Sequence, residues 1–314
     1  MALYLITGIG GFIGSSLAQA LLQRGQKVRG IDNFSTGKRE NIEQIAGQID
    51  SRQADLLDLG AMNLACAGVD YVLHQAAIPS VPKSVRDPIG SNRANVDGTL
   101  NILVAARDAK VKRVIYAASS SAYGDTPTLP KHERMTPDPI SPYAVAKLAS
   151  EHYMTSFYRC YGLETVALRY FNIFGPRQDP TSPYSGVLAK FITLMLSGQQ
   201  PTIYGDGEQS RDFTYIDNAV EANLLACKAP AQVAGKVFNV ATGRRVSLNE
   251  TFKMLQQLTS YSGSPIYTAE REGDIKHSLA DISLAEKHLG YTPKVNFEDG
   301  LRRTVDWYRS QKRA

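Results

Sequence analysis

The sequence predicts a doubly wound α/β fold, a parallel sheet with helices on both faces, to which a smaller α/β domain is appended. Three observations predict it. Short apolar runs alternate with helical patterns through the first half of the chain; a glycine-rich turn joins the first run to the first helix; and an acidic residue closes the second run about 20 residues later. Near-continuous apolar strands are what a sheet buried on both faces requires, whereas a sheet with one wet face alternates.

Taken in order, residues 2–7 (ALYLIT) read as the first strand and 15–24 as the first helix. Residues 27–32 (KVRGID) form the second strand, and Asp55-Leu56 closes a third. Residues 71–77 (YVLHQAA), 113–119 (RVIYAAS) and 165–171 (TVALRYF) follow as buried strands, with helices at 96–109 and 143–161. Beyond Gly175 the regularity loosens. Residues 176–186 are rich in Pro, Ser and Asp and read as a long loop, while 236–241 (KVFNVA) reads as one more strand of the sheet. The expected division is a dinucleotide-binding domain of residues 1–175 plus about 213–241, with the rest of 176–314 forming a substrate-binding domain.

Composition narrows the function classes. Hydrophobic residues make up 43% and charged residues 21% of 314, which suits a globular protein and not a disordered one. The formal charge, 35 − 30 = +5, is spread without a run of like charges. With no nucleic-acid motif present, the excess points to small anions such as diphosphates. Cys66, Cys160 and Cys227 are odd in number and lack CxxC spacing, against a disulfide framework or structural zinc, and His152 beside Glu151 reads as surface rather than as a metal ligand. No apolar span reaches membrane length and the chain opens on a strand-like run, so a soluble, cytoplasmic protein is expected, with no metal, nucleic-acid or membrane partner.

The first candidate site is Thr7-Gly8-Ile9-Gly10-Gly11-Phe12-Ile13-Gly14, directly after the first strand and opening a helix. Gly8, Gly11 and Gly14 permit a tight turn, close approach of a pyrophosphate and close helix–strand packing, with free N–H groups and the helix dipole facing the phosphates. Asp32, ending the second strand, is placed to bond the adenosine ribose and would repel a 2′-phosphate, which favours NAD over NADP. Asp55 and Leu56 are placed to bracket the adenine, with a strand-end Asp capping a turn as the alternative. His74-Gln75-Ala76-Ala77 ends a strand with small residues against which the dinucleotide, or simply a neighbouring helix, can lie.

The second candidate is Tyr143-Ala-Val-Ala-Lys147 after Ser141-Pro142, a good helix start. Tyr and Lys at i and i+4 share a face, and an ammonium beside a phenol lowers the tyrosine pKa towards working pH, as a positive nicotinamide ring also would. Ser119-Ser120-Ser121 ends the fifth strand, where open parallel sheets bind ligands.

Together TGxxGFIG, the acidic second-strand end, SSSAYGD, SPYAVAK and RYFNIFGPR resemble the extended short-chain dehydrogenase/reductase family over essentially the whole chain. Within it they resemble the nucleotide-sugar 4-epimerases, most closely the bacterial UDP-N-acetylglucosamine 4-epimerase branch. The resemblance implies a Rossmann-type fold, NAD as cofactor and a UDP-sugar as substrate. It implies Tyr143 as catalytic base, Lys147 as its partner and Ser119 as the catalytic serine. Phe12, Ile13, Asn33, Asn95, Gln75, Ala76 and Ala77 join the cofactor set. Ser120 and Ser121 are implied in the sugar pocket, Asn172 at the sugar diphosphate, Arg211 and Arg271 on the phosphates, and Asp274 on the uridine ribose. Val187 and Tyr204 belong to the same substrate set, while Ser278 falls beside the sugar's C2 substituent with Ser80 and Gly186 as further small wall positions.

The activity implied is oxidation at C4 by NAD, rotation of the 4-keto sugar and return of the hydride to its other face. Dehydration is disfavoured, because Ser120 and Ser121 stand where a dehydratase needs an acid. A UDP-uronic acid 4-epimerase or decarboxylase stays open as the alternative, and a non-catalytic NAD-binding relative is opposed by the presence of both Tyr143 and Lys147. The resemblance also implies a homodimer through helices 95–109 and 143–161, with Ile102, Leu103, Val104, Met154, Phe157 and Tyr158 as interface candidates.

Overall fold

The computed structural model describes residues 1–180, 186–270 and 275–311. Seven parallel strands form the central sheet: β1 (Leu3–Thr7), β2 (Lys27–Asp32), β3 (Asp50–Gln53), β4 (Tyr71–His74), β5 (Arg113–Ser119), β6 (Glu164–Tyr170) and β7 (Lys236–Val240). Their order across the sheet is β7-β6-β5-β4-β1-β2-β3. The chain therefore builds outward from β1 in one direction and from β4 in the other, which leaves a crevice at the carboxyl ends of β1 and β4. Thr7, Asp32, His74, Ser119 and Tyr170 all stand at carboxyl ends of strands.

The apolar runs bury as a two-faced sheet demands. Leu5, Val72, Val114 and Ala167 enter one core; Ile6, Leu73, Ile115 and Val166 enter the other. Burial of each large aliphatic side chain stabilises the fold by about 1.5–3 kcal/mol.

Several boundaries move. The strand read over 71–77 ends at His74, because Gln75–Ala77 turn into the crevice wall. The first helix starts at Phe12 rather than residue 15, immediately after the glycine turn. The helix read at 96–109 is the end of a longer helical run: Pro88–Asn92, a π turn at Arg93–Asp97, then Gly98–Asp108. Asp55 and Leu56 lie beyond β3, which ends at Gln53. Glu151 is buried and holds Arg169 of β6 by two bonds of 2.8 and 2.7 Å.

The remaining elements form a smaller lobe. Helices Val187–Leu196, Leu248–Thr259 and Phe297–Gln311 pack together, alongside strand pairs Thr202–Tyr204 with Ile266–Thr268 and Ser210–Arg211 with Val246–Ser247. Helix Ile216–Lys228 and β7 return to the large sheet beside β6. Of the apolar residues expected at a subunit interface, Ile102, Leu103, Met154 and Phe157 are buried in this molecule's own core. Of the expected residues Tyr158 is exposed, and Val85, Ile89, Val145, Tyr153 and Tyr161 are exposed as well.

Candidate active site

The turn after β1 is defined by the atoms its glycines lack. Gly8 adopts φ +70°, and a Cβ there would stand 2.8 Å from the Ala76 backbone. A Cβ on Gly14 would stand 2.1 Å from the Gly8 carbonyl oxygen, so helix and strand meet only without one. Gly11, the N-cap of helix Phe12–Gln23, brings no side chain to cap it, and the first turn at Phe12 and Ile13 lines a cavity of about 790 Å³. Uncapped N–H groups at a helix start form a pyrophosphate cradle.

At the end of β2, Asp32 Oδ2 accepts from Gly10 N (2.9 Å) and Oδ1 from Phe34 N (2.7 Å), which leaves each oxygen a lone pair for a ribose hydroxyl. Burial raises the Asp32 pKa and the two N–H bonds oppose the rise. A 2′-phosphate would set a second anion against this desolvated carboxylate, so the cradle fits NAD. Asn33 Nδ2 donates to Asp55 Oδ2 (2.9 Å), tying the loops after β2 and β3 together beside Leu56 at the cavity's far end.

The wall after β4 is held from behind. Ala76 N donates to Thr7 Oγ1 (3.1 Å), which lies 2.7 Å from His74 Nδ1, while His74 Nε2 lies 2.9 Å from Thr99 Oγ1. Thr99 gives its proton to Asn95 O (2.6 Å), so His74 donates from Nε2 and accepts at Nδ1. Burial pushes His74 down to about 3, and it stays neutral. Asn95 lies behind this wall rather than in the lining; its Oδ1 accepts from Ile78 N (2.8 Å). Gln75 closes a ring: Tyr170 OH donates to Gln75 Oε1 (3.2 Å), Gln75 Nε2 to Asn223 Oδ1 (3.2 Å) and Asn223 Nδ2 to Tyr170 OH (2.7 Å).

Ser119, Tyr143 and Lys147 converge on the same cavity. Helix Pro142–Tyr161 starts where Ser141 Oγ accepts from Ala144 N (3.2 Å). Ser119 Oγ accepts from both Ser121 N (3.2 Å) and Ser121 Oγ (2.8 Å), which fills its lone pairs and leaves its own proton for the Tyr143 phenol. Lys147 Nζ donates to Ala117 O (2.8 Å) and sits 4.8 Å from the Tyr116 ring centroid.

Lys147 does not lower the Tyr143 pKa as the i, i+4 pairing predicts. Burial pushes Tyr143 up to about 12, with only the Ser119 bond opposing, and burial pulls Lys147 down to about 7. A lysine without its water is a poor source of positive charge. The lowering that a base at this position needs therefore rests on Ser119 and on the cationic nicotinamide that NAD brings when bound.

The substrate candidates separate into groups. Ser80 and Asn172 line the cavity; Asn172, at φ +41°, donates from Nδ2 to Asp212 O (3.0 Å). Ser120 and Ser121 occupy the 3₁₀ turn behind Ser119, outside the lining. Arg211 and Ser278 come together elsewhere: Ser278 N donates to Ser210 O (3.0 Å), and Arg211 Nη1 to Lys276 O (3.1 Å). Gly186 caps helix Val187–Leu196 near Gln178 of the cavity, and Tyr204 ends its short strand; like Val187, neither lines the cavity. Arg271 and Asp274 lie outside the described residues. The cavity adds Lys83, Tyr170 and Arg177, whose Nη2 donates to Ser16 Oγ (2.8 Å). Of these, Tyr170 and Arg177 sit in RYFNIFGPR, a motif legible from the start; Lys83 carries no motif.

Residues 4–241 match the NAD dependent epimerase/dehydratase family, and the chain belongs to that family. The protein is thus an enzyme of an NAD-using class. It is 42% identical to a UDP-N-acetylglucosamine 4-epimerase from Methanobrevibacter ruminantium, solved with UDP-N-acetylmuramic acid, over 99% of each chain with a TM-score of 0.94. A UDP-glucose 4-epimerase from Thermotoga maritima, solved with UDP-glucose, is 38% identical over 99% of each chain, also with a TM-score of 0.94. The UDP-glucose 4-epimerase of Mycolicibacterium smegmatis is 35% identical over 98% of each chain. No helix among the described residues is long and apolar enough to cross a membrane.

Proposed function

We propose that this enzyme interconverts UDP-N-acetylglucosamine and UDP-N-acetylgalactosamine at C4, also accepting UDP-glucose and UDP-galactose, as a cytoplasmic homodimer. The observation that carries the reading is the convergence of Ser119, Tyr143 and Lys147 on the cavity whose other end holds the glycine cradle and Asp32. Tyr143 takes the proton from the sugar O4 and returns it; Ser119, donating to the phenol, stabilises the phenolate in between. Bound NAD would supply the acceptor and donor for the C4 hydride, so no external reductant would be consumed. Lys147 and the wall at Gln75–Ala77 hold the nicotinamide end.

The preference for N-acetyl sugars rests on small residues. Ser80 lines the cavity wall; Ser278, half-buried with its N–H on Ser210 O and outside that lining, is by the family likeness the small, hydroxyl-bearing residue beside the C2 substituent. Incubation with UDP-N-acetylglucosamine, UDP-glucose and UDP-glucuronic acid in parallel, without added reductant, tests the reading by separating the epimers. Conversion of the N-acetyl sugar is expected; conversion of the uronic acid alone would replace the proposed substrate, and conversion of none would refute the activity. In Ser278→Tyr, turnover of the acetylated pair is expected to fall steeply while the unacetylated pair is spared. Equal losses on both pairs would show that position 278 does not read C2.

A further inference from the structure

The start of the catalytic helix leaves a problem that a residue far away in sequence solves. Ser141 caps the Ala144 N–H and Pro142 has none, so the Tyr143 N–H is left without a local acceptor. It donates instead to Ser84 Oγ (3.0 Å), 59 residues earlier in the chain. Ser84 is fully buried, and its hydroxyl proton goes to Val81 O (2.7 Å), which fixes the acceptor's direction. Ser84 N in turn donates to Ser80 O (3.0 Å), and Ser80 Oγ accepts from Lys83 N (3.0 Å). Ser80 and Lys83 both line the cavity.

We infer that Ser84 is a positioning residue, registering the catalytic tyrosine against the sugar-facing wall at Ser80. Two hydrogen bonds link that wall to the backbone of Tyr143, in the first turn of helix Pro142–Tyr161. Displacement of the phenol by a fraction of an ångström weakens both its bond from Ser119 and its reach to the sugar O4, and such misplacement lowers turnover more than binding. The inference rests on the epimerase reading, so wild-type turnover on the sugar nucleotide is measured first.

Ser84→Ala removes the acceptor with little change in volume. Its kcat is expected to fall about tenfold, with KM and bound NAD within about twofold of wild type. Ser84→Thr, which keeps the hydroxyl, is expected to recover most of the loss. Ser84→Cys, a weaker acceptor of similar size, is expected to fall between, and keeps the series informative if the threonine methyl does not fit. If wild type turns over and Ser84→Ala retains wild-type kcat while only its melting temperature drops, Ser84 is merely structural and the inference fails. A loss in Ser84→Ala that neither Thr nor Cys recovers also overturns it. An inactive wild type would instead sink the epimerase reading itself.

Discussion

At Tyr143, replacing the phenol by phenyl removes the oxygen proposed to transfer the proton and keeps the ring that fills the site. Tyr143→Phe is expected to lose about 10²–10⁴-fold in turnover while retaining NAD, as read by cofactor absorbance of the purified protein. A near-normal rate would exclude Tyr143 as the base. Lys147 makes the opposite kind of prediction, because its burial opposes the fold. Its pKa is pulled down from the ordinary 10.5 to about 7. Between those values the unfolded chain binds the proton that the folded chain releases, so stability from this group rises with pH across that window. Lys147→Met is thus expected to abolish turnover yet melt higher than wild type, with an advantage of a few kcal/mol that is full below about pH 7 and vanishes towards 10.5. An advantage that does not change between pH 7 and 10 would show that Lys147 is not desolvated as described.

The glycine turn separates two reasons for glycine within one element. At Gly14 the obstacle is the protein itself, since a Cβ meets the Gly8 carbonyl oxygen at 2.1 Å. At Gly11 the nearest atom is that same oxygen at 3.1 Å, and the residue lines the cavity. Gly14→Ala is accordingly expected to destabilise the fold by about 1–3 kcal/mol, seen as a lower melting temperature. Gly11→Ala is expected to lose bound NAD with a much smaller change in melting. The reverse ranking would mean that Gly11 serves packing and Gly14 the ligand. The helical run over 88–108 shows what local pattern misses: its π turn at Arg93–Asp97 turns the Asn95 carbonyl to accept from Thr99 and from Ser150 of helix Pro142–Tyr161 (2.9 Å). No 3.6-residue periodicity announces such a turn, because one of the donors to that carbonyl, Ser150, lies on another element.

Across the whole molecule, half of the large exposed apolar side chains among the described residues lie on helices Val81–Arg86, Pro88–Asn92 and Pro142–Tyr161, which pack together. Ile89 is 73% exposed, Val85 63% and Val145 51%. A patch of this kind is a candidate protein contact, and light scattering at micromolar concentration is expected to report a dimer that Ile89→Glu with Val145→Glu dissociates. A monomeric wild type would end the proposal. What the sequence by itself determined here is the layered α/β architecture, the cofactor turn with Asp32, and the trio Ser119, Tyr143 and Lys147. Each of these is written locally, in strand-length apolar runs, in glycines adjoining a strand end and in an i, i+4 pair. Only the tertiary structure decided the rest: that Ser84 holds the Tyr143 backbone, that Gln75, Tyr170 and Asn223 close a ring, and that burial raises the tyrosine and lowers the lysine. Those facts depend on partners 50 or more residues apart or on the removal of water, and desolvation belongs to the packed interior rather than to any stretch of sequence.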